Sequence, residues 1–170
     1  MSRIYLHLLS LFLILFLLQI GIFNSIHLFG VATPVLFVYY VLKLPAEMNR
    51  SLVLLLAAAG GFLIDLFSYT LGLNMLALTV VGFARFYALK FFGPREFFEV
   101  LTPSFLSFGK GPFLAFCASL VFLNLLILFG VESLSLFNPL QLSLRILGSF
   151  LLSMLILYAI EVLIQSFYRK

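Results

Sequence analysis

Charge is what this 170-residue sequence has least of. Ten Lys and Arg residues and six Asp and Glu residues make up 9% of the chain, whereas about a quarter of a typical soluble domain is charged. Hydrophobic residues make up 64%, and the mean hydropathy is +1.25. Because so little polar surface cannot coat a water-soluble fold, the composition excludes a cytosolic enzyme, a disordered tail and a disulfide-rich secreted module. It indicates a polytopic membrane protein.

Cysteine and histidine are also scarce, which excludes several kinds of site. A single cysteine, Cys117, rules out an internal disulfide framework and a cysteine-based metal cage, and we expect it to be an inert packing residue. The two histidines, His7 and His27, share no helix face, and the sequence has no nucleophile elbow or phosphate-binding loop. We therefore expect no enzyme activity, cofactor or metal. The basic residues are scattered singly, so nucleic acid is not an expected partner.

Uninterrupted apolar sequence is what the chain has in abundance. A membrane helix needs about 20 apolar residues, and the charge-free stretch at residues 4–42 is too long for one such span. Within it, Pro34 behind Thr33 marks the helical start of a second span. The predicted fold class is an all-α membrane protein, a single domain over residues 1–170 with six transmembrane helices. Their predicted bounds are about residues 4–23, 28–44, 51–67, 72–89, 112–130 and 139–167.

The basic residues sort almost completely to one side of the six predicted helices. The loops near residues 24–30, 67–72 and 131–138 contain no Lys or Arg. Because cytoplasmic loops carry the excess of basic residues, both termini are predicted to be cytoplasmic. The first apolar segment is too long for a signal peptide and lacks a small-residue cleavage site, so we expect it to stay in the mature protein. The residues assigned to the cytoplasmic side are Arg3, Lys43, Arg50, Lys90, Arg95, Lys110, Arg169 and Lys170.

Two opposite charges are predicted at the same depth inside the membrane. Asp65 lies about 21 Å along the third helix, which puts it in the outer third of the bilayer. Arg145 lies about 9 Å inward from the outer end of the sixth helix. Because a charge in hydrocarbon needs a partner, we predict that the two approach each other directly or through a polar neighbour. Such a pair either locks the two helices together or belongs to a ligand-binding or partner-binding site.

Polar side chains are concentrated in the outer half of the predicted membrane span. They favour either an outward-facing polar funnel or a set of interhelical hydrogen bonds and loop caps. At the inner edge, we expect Arg85 to extend its side chain to the cytoplasmic headgroups, with an ion pair to Glu161 as the alternative. The outer polar residues are Gln19, Asn24, His27, Asn74, Asn124 and Gln141.

Small and aromatic residues carry two further predictions. The small residues at 57–61 predict a close backbone approach of the third helix to a neighbour, and Gly148, Ser149 and Ser153 predict the same for the sixth. Internal packing is favoured over a dimer seam. Residues 91–110 alternate aromatic and charged side chains, which is typical of an interfacial helix lying on the membrane, with a docking site for a cytoplasmic partner as an addition.

A glycine pair, an aspartate and a turn form the most specific pattern in the chain, at residues 60–78. It reads Gly60-Gly-Phe-Leu-Ile-Asp65-Leu-Phe-Ser68, followed by Leu71-Gly-Leu-Asn-Met-Leu-Ala-Leu78. Members of the MreD family, small membrane proteins of the bacterial rod-shape system, show a glycine-containing helix ending in Asp-Leu-x-Ser, a turn, and a Leu-Gly pair that opens the next helix. The sequence resembles this family over residues 34–90, where Pro34 and Pro45 also agree.

The resemblance implies a non-enzymatic protein of the bacterial inner membrane that works in cell shape and peptidoglycan synthesis. MreC would be its direct partner, with the MreB filament and the RodA–transpeptidase synthase reached through the complex. The resemblance also implies a fold similar to the substrate-capture subunits of ECF-type vitamin transporters, and vitamin binding is the alternative function. The first helix has no pair of small residues four apart, which counts against transport. The structural or partner-binding candidates are Asp65, Arg145, Gly60, Gly61, Ser68, Gly72 and Asn74.

Overall fold

Every described element of the chain is a helix. The computed structural model describes residues 2–23, 33–70, 72–93, 102–133 and 139–168, and these ranges contain no β-strand. The predicted all-α class is therefore confirmed for them. In chain order the helices are α1 (Ser2–Leu18), which continues into a π-helical turn (Gln19–Phe23), α2 (Val38–Lys43), α3 (Arg50–Ser68), α4 (Leu73–Phe92), α5 (Phe105–Phe108), α6 (Lys110–Glu132) and α7 (Pro139–Tyr168).

Four of the described helices, α3, α4, α6 and α7, are long and apolar enough to cross a membrane. The shortest, α3, has 19 residues and spans about 28 Å, close to the roughly 30 Å hydrocarbon core of a bilayer. Their ends lie within three residues of the predicted third to sixth helices. The first predicted helix is also helical, from Ser2 to Phe23, although it is not one of the four. These helices indicate a multi-pass membrane protein.

The second predicted helix, at residues 28–44, is wrong over much of its length. Residues 28–32 lie outside the described ranges, residues 33–36 are not helical, and α2 is only six residues long. The physical reason begins at Pro34, whose ring removes an N–H donor and disfavours the helical conformation for Thr33. The N–H groups of residues 33, 35 and 36 bond to side chains of other helices rather than to carbonyls one turn away.

This broken segment lies at the centre of the protein. Residues 34–44 are buried without interruption, and Phe37, Val38 and Val41 have no exposed surface. The helical part, α2, packs against α1, α3, α4 and α6. Non-helical backbone is tolerated at membrane depth only where protein or a water-filled cavity surrounds it, and here the surrounding helices enclose it.

Helices α3 and α4 approach each other at backbone distance. A Cβ atom added to Gly61 would lie 2.5 Å from Cα of Met75, so only glycine fits there without displacing α4. Gly60 faces the buried segment instead, because its added Cβ would lie 2.5 Å from Cε1 of Phe37. The close approach predicted from the small residues at 57–61 is therefore confirmed. It is a contact between two helices of the same chain.

The interfacial helix predicted over residues 91–110 is wrong for the part of this range that the structure describes. Residues 94–101 lie outside the described ranges, and residues 102–109 hold only the short helix α5. Phe105 and Phe108, three positions apart on α5, are buried against aromatic rings of α6. Because the first turns of α6 offer these rings an apolar partner, α5 turns its aromatic face into the protein rather than onto the membrane.

Candidate functional site

Asp65 is buried near the end of α3, where its carboxylate caps the start of α4. Its Oδ1 accepts the backbone N–H and the side-chain amide of Asn74, each at 3.0 Å, and the hydroxyl of Thr70. Its Oδ2 accepts the N–H of Met75 at 2.9 Å. These backbone N–H groups belong to the first turn of α4 and have no acceptor inside their own helix. Asp65 therefore supplies the capping oxygens that Gly72, at the N-cap position, lacks.

The turn between α3 and α4 makes that cap possible. Two of its described residues are left-handed, Tyr69 with a φ of 54° and Gly72 with a φ of 74°. The N–H groups of Tyr69 and Thr70 bond to the Asp65 carbonyl, which closes the last turn of α3. Four of the seven candidate residues therefore meet in one structure, the α3–α4 corner, namely Gly61, Asp65, Gly72 and Asn74. Ser68 is the last residue of α3, beside this corner, and Gly60 packs against Phe37 instead.

Arg145, the seventh candidate, lies elsewhere, so the predicted ion pair with Asp65 is wrong. Its two terminal guanidinium nitrogens are each 3.2 Å from Oε1 of Glu132, and the guanidinium stands 4.9 Å from the ring centre of Phe129. Glu132 is the last residue of α6, which packs beside α7, whereas the Asp65 oxygens are already occupied by α4 and the turn. Sequence reasoning missed Glu132 because it was assigned to a loop outside the membrane.

Three polar side chains satisfy the backbone of the buried segment at residues 33–37. The amide oxygen of Gln19 accepts the N–H groups of residues 36 and 37 at 2.7 and 3.3 Å, and its nitrogen donates to the Pro34 carbonyl. Ser149 and Ser153, one turn apart on α7, accept the N–H groups of residues 33 and 35 at 3.0 Å each. These bonds replace those of a regular helix, because an unpaired N–H in an apolar interior is costly. The two serines, predicted only as small packing residues, therefore also hold backbone in place.

Arg85 does not reach the cytoplasmic headgroups, contrary to prediction. Only 3% of its surface is exposed, and its guanidinium donates to the carbonyls of Leu44 and Pro45, just after α2. Because the last carbonyls of a helix have no partner inside it, this arginine caps the C-terminus of α2. The alternative, an ion pair with Glu161, is wrong as well, since Glu161 pairs with Lys43.

Glu161 on α7 and Lys43 at the end of α2 form a buried ion pair, the Lys43–Glu161 pair. The same carboxylate oxygen accepts the Tyr39 hydroxyl at 2.9 Å, and Lys43 also donates to the Pro103 carbonyl at 2.8 Å. The ammonium lies 5.3 and 5.2 Å from the ring centres of Tyr39 and Phe113, so aromatic faces stabilise its charge further. Sequence reasoning missed this pair because Lys43 was assigned to a cytoplasmic turn. Its position directly after a long apolar run was the available signal.

A cavity of about 440 Å³ adjoins the Lys43–Glu161 pair. Apolar side chains of α1, α5 and α7 line part of it, and Thr102, Ser104 and Gln165 add polar groups. It lies at the end of the protein where α2 finishes, which is the predicted cytoplasmic side. A buried ion pair therefore borders a cavity on the side opposite the predicted funnel.

The polar residues predicted to line an outward funnel have different surroundings in the structure. Gln19 and Asn74 make the structural hydrogen bonds described above, which was the alternative prediction. Asn124 is buried within α6, whereas Gln141 is exposed on α7. None of these four lines the 440 Å³ cavity. The side chains of two more funnel residues lie outside the described part of the chain, namely Asn24 and His27.

The described residues thus form a helical protein whose long apolar helices indicate a membrane protein and whose buried polar groups hold helix ends and irregular backbone in place. Cys117 is free and buried in α6, and the described residues contain no group of three or more His, Cys, Asp and Glu side chains placed to hold a metal ion. No family model, curated protein or solved structure matches the chain. Function is therefore inferred from the motif and its geometry.

Proposed function

We propose that the protein is a non-enzymatic scaffold of the bacterial inner membrane, a MreD-like component of the elongation complex that acts in cell shape and peptidoglycan synthesis. In this proposal the chain crosses the membrane six times with both termini in the cytoplasm, and the buried segment ending in α2 makes the second crossing. MreC is the direct partner, and the MreB filament and the RodA–transpeptidase synthase are reached through the complex. The α3–α4 corner is the observation that carries the proposal.

The corner supports a scaffold because three residues of the motif each fix its geometry. Gly61 lets α3 and α4 touch, Asp65 caps α4, and Gly72 adopts a left-handed conformation that suits glycine. Both carboxylate oxygens of Asp65 accept hydrogen bonds from the corner itself. A motif that uses its polar groups in this way fixes the relative position of two membrane helices, which is what a scaffold requires.

The corner also presents an aromatic surface for a partner. Tyr69 is 96% exposed at the tip of the turn, and Phe67 is exposed on the last turn of α3. Exposed aromatic side chains are enriched in protein interfaces. In this proposal they lie on the periplasmic side, at the end of a membrane helix, and contact the membrane-proximal part of MreC.

Complementation of a deletion strain with Asp65→Ala tests the proposal. Loss of the carboxylate leaves the Asn74 and Met75 N–H groups of α4 without acceptors, so we expect rounded cells and reduced recovery of MreC. The level of the variant in membranes and its thermal stability, measured alongside, separate loss of the partner from loss of the fold. Glu47→Ala removes an exposed carboxylate after α2 and is the matched control, expected to keep rod shape.

A second variant tests the partner surface with the cap intact. Tyr69→Asn removes the exposed ring and keeps a residue type that tolerates the left-handed conformation, so we expect normal membrane levels and several-fold lower recovery of MreC.

Normal rods and full MreC recovery with Asp65→Ala would remove Asp65 from the functional argument. Failure of the wild-type protein to recover MreC would overturn the scaffold proposal, and a co-purified vitamin would favour the substrate-capture subunit of a vitamin transporter.

A further inference from the structure

The cavity beside the Lys43–Glu161 pair has the lining of a site for an amphiphile. Leu8 and Leu11 of α1, with apolar residues of α5 and α7, form one part of its wall, and the ion pair with nearby hydroxyl and amide groups forms the other. Its volume of about 440 Å³ lies within the roughly 300–1,000 Å³ of small-molecule sites. A ligand that fits both walls has a polar end and an apolar end.

In the proposed six-span arrangement, on which this step rests, the cavity lies near the depth where lipid headgroups meet acyl chains. Leu8 lies six residues from the start of α1, and Glu161 lies seven residues from the end of α7, so each is about 10 Å from the end of its helix. Leu106, which belongs to the lining, is 67% exposed and marks an opening toward the surroundings. A lipid of the adjoining leaflet therefore has its headgroup at the right depth to enter.

The charges in the lining cancel, which indicates the class of headgroup. Among the lining residues that the structure describes, Lys43 is the one cation and Glu161 the one anion. A net anionic headgroup would bring an uncompensated charge into a partly desolvated site, whereas a zwitterionic headgroup offers one charge to each member of the pair. Both members keep bonding capacity, because the described bonds use two of three ammonium donors and two of about four carboxylate acceptor positions.

We propose that this cavity binds the headgroup of a zwitterionic lipid of the phosphatidylethanolamine type from the adjoining leaflet. The lipid phosphate accepts a hydrogen bond from Lys43, and the lipid ammonium donates to Glu161, while an acyl chain follows Leu8 and Leu11 along α1. The Lys43–Glu161 pair then has two roles. It joins α2 to α7, and it selects the lipid by charge. This site does not depend on which protein the α3–α4 corner binds.

Lipid retention by the purified full-length protein tests the site. The protein in detergent is incubated with phosphatidylethanolamine or phosphatidylglycerol of identical acyl chains, and bound lipid is counted by native mass spectrometry. We expect about tenfold stronger retention of phosphatidylethanolamine, the scale of one charge-assisted hydrogen bond. Leu106→Trp places a large ring at the opening and should abolish that preference. Leu151→Trp, at a leucine of α7 that is also 67% exposed but lies outside the lining, is the matched control and should keep it.

A charge variant sharpens the test. Glu161→Gln leaves Lys43 as an uncompensated cation in the lining, so the preference should reverse in favour of phosphatidylglycerol. Equal retention of the two lipids by the wild-type protein would overturn the proposal. So would equal behaviour of Leu106→Trp and Leu151→Trp, because the retained lipid would then be a general coat around the helices. The two tryptophan variants decide the matter even if Glu161→Gln does not fold.

Discussion

The two buried carboxylates, Asp65 at the α3–α4 corner and Glu161 inside the helix bundle, are stabilised in different ways. Asp65 accepts hydrogen bonds from neutral donors within the ten residues that follow it in the chain. Glu161 forms an ion pair with Lys43 and accepts a hydrogen bond from Tyr39, which lies 122 residues earlier. The difference has a physical cause: the aligned peptide dipoles at the start of a helix supply positive potential, so a capping carboxylate needs no counter-charge. Glu161 lies far from the start of α7, so it has no such field and requires a cation.

Breaking the Lys43–Glu161 pair is expected to have the largest effect on stability. In Glu161→Leu the ammonium of Lys43 stays buried without a counter-charge, which lowers the free energy of unfolding by about 3–5 kcal/mol. The double variant Lys43→Met/Glu161→Leu leaves no charge behind and should recover most of that loss. Unfolding of the purified protein by titration with a denaturing detergent measures both, and purely additive losses would show that the two residues are not coupled.

Crowding the α3–α4 corner is expected to have an intermediate effect. In Gly61→Ala the new methyl group meets the backbone of Met75 and forces α3 and α4 apart, which lowers the free energy of unfolding by about 2 kcal/mol. Gly111→Ala is the matched control, because no atom lies within 4 Å of a Cβ built at that exposed position of α6. The same detergent titration compares the two, and equal stability would mean that the close approach contributes nothing.

The exposed ion pair between Arg145 and Glu132 is expected to matter least. Both side chains are partly exposed, so Arg145→Gln should change the free energy of unfolding by less than about 1 kcal/mol. Its effect should add to that of Asp65→Asn, because the two residues have separate partners. A non-additive result in this double-variant cycle would restore the coupling between Asp65 and Arg145 that the sequence predicted.

The sequence predictions that the structure confirms rest on patterns within single segments of the chain. The bounds of α3, α4, α6 and α7 follow from long apolar runs, and the close approach of α3 to α4 follows from small residues at 57–61. The predictions that failed concern partners. Arg85, Arg145 and Glu161 were assigned partners by depth alone, and depth does not say which helix lies beside which.

The amino-acid sequence by itself determined the helical class, the bounds of α3, α4, α6 and α7, and the need of the few buried charges for partners. It could do so because apolar periodicity and charge scarcity act along the chain. Only the tertiary structure decided who those partners are. It placed the segment at residues 33–44 at the centre, where side chains of other helices replace its missing helical bonds, and it set Lys43 against Glu161. Those choices depend on packing between distant segments, and a one-dimensional pattern does not encode the order in which helices become neighbours.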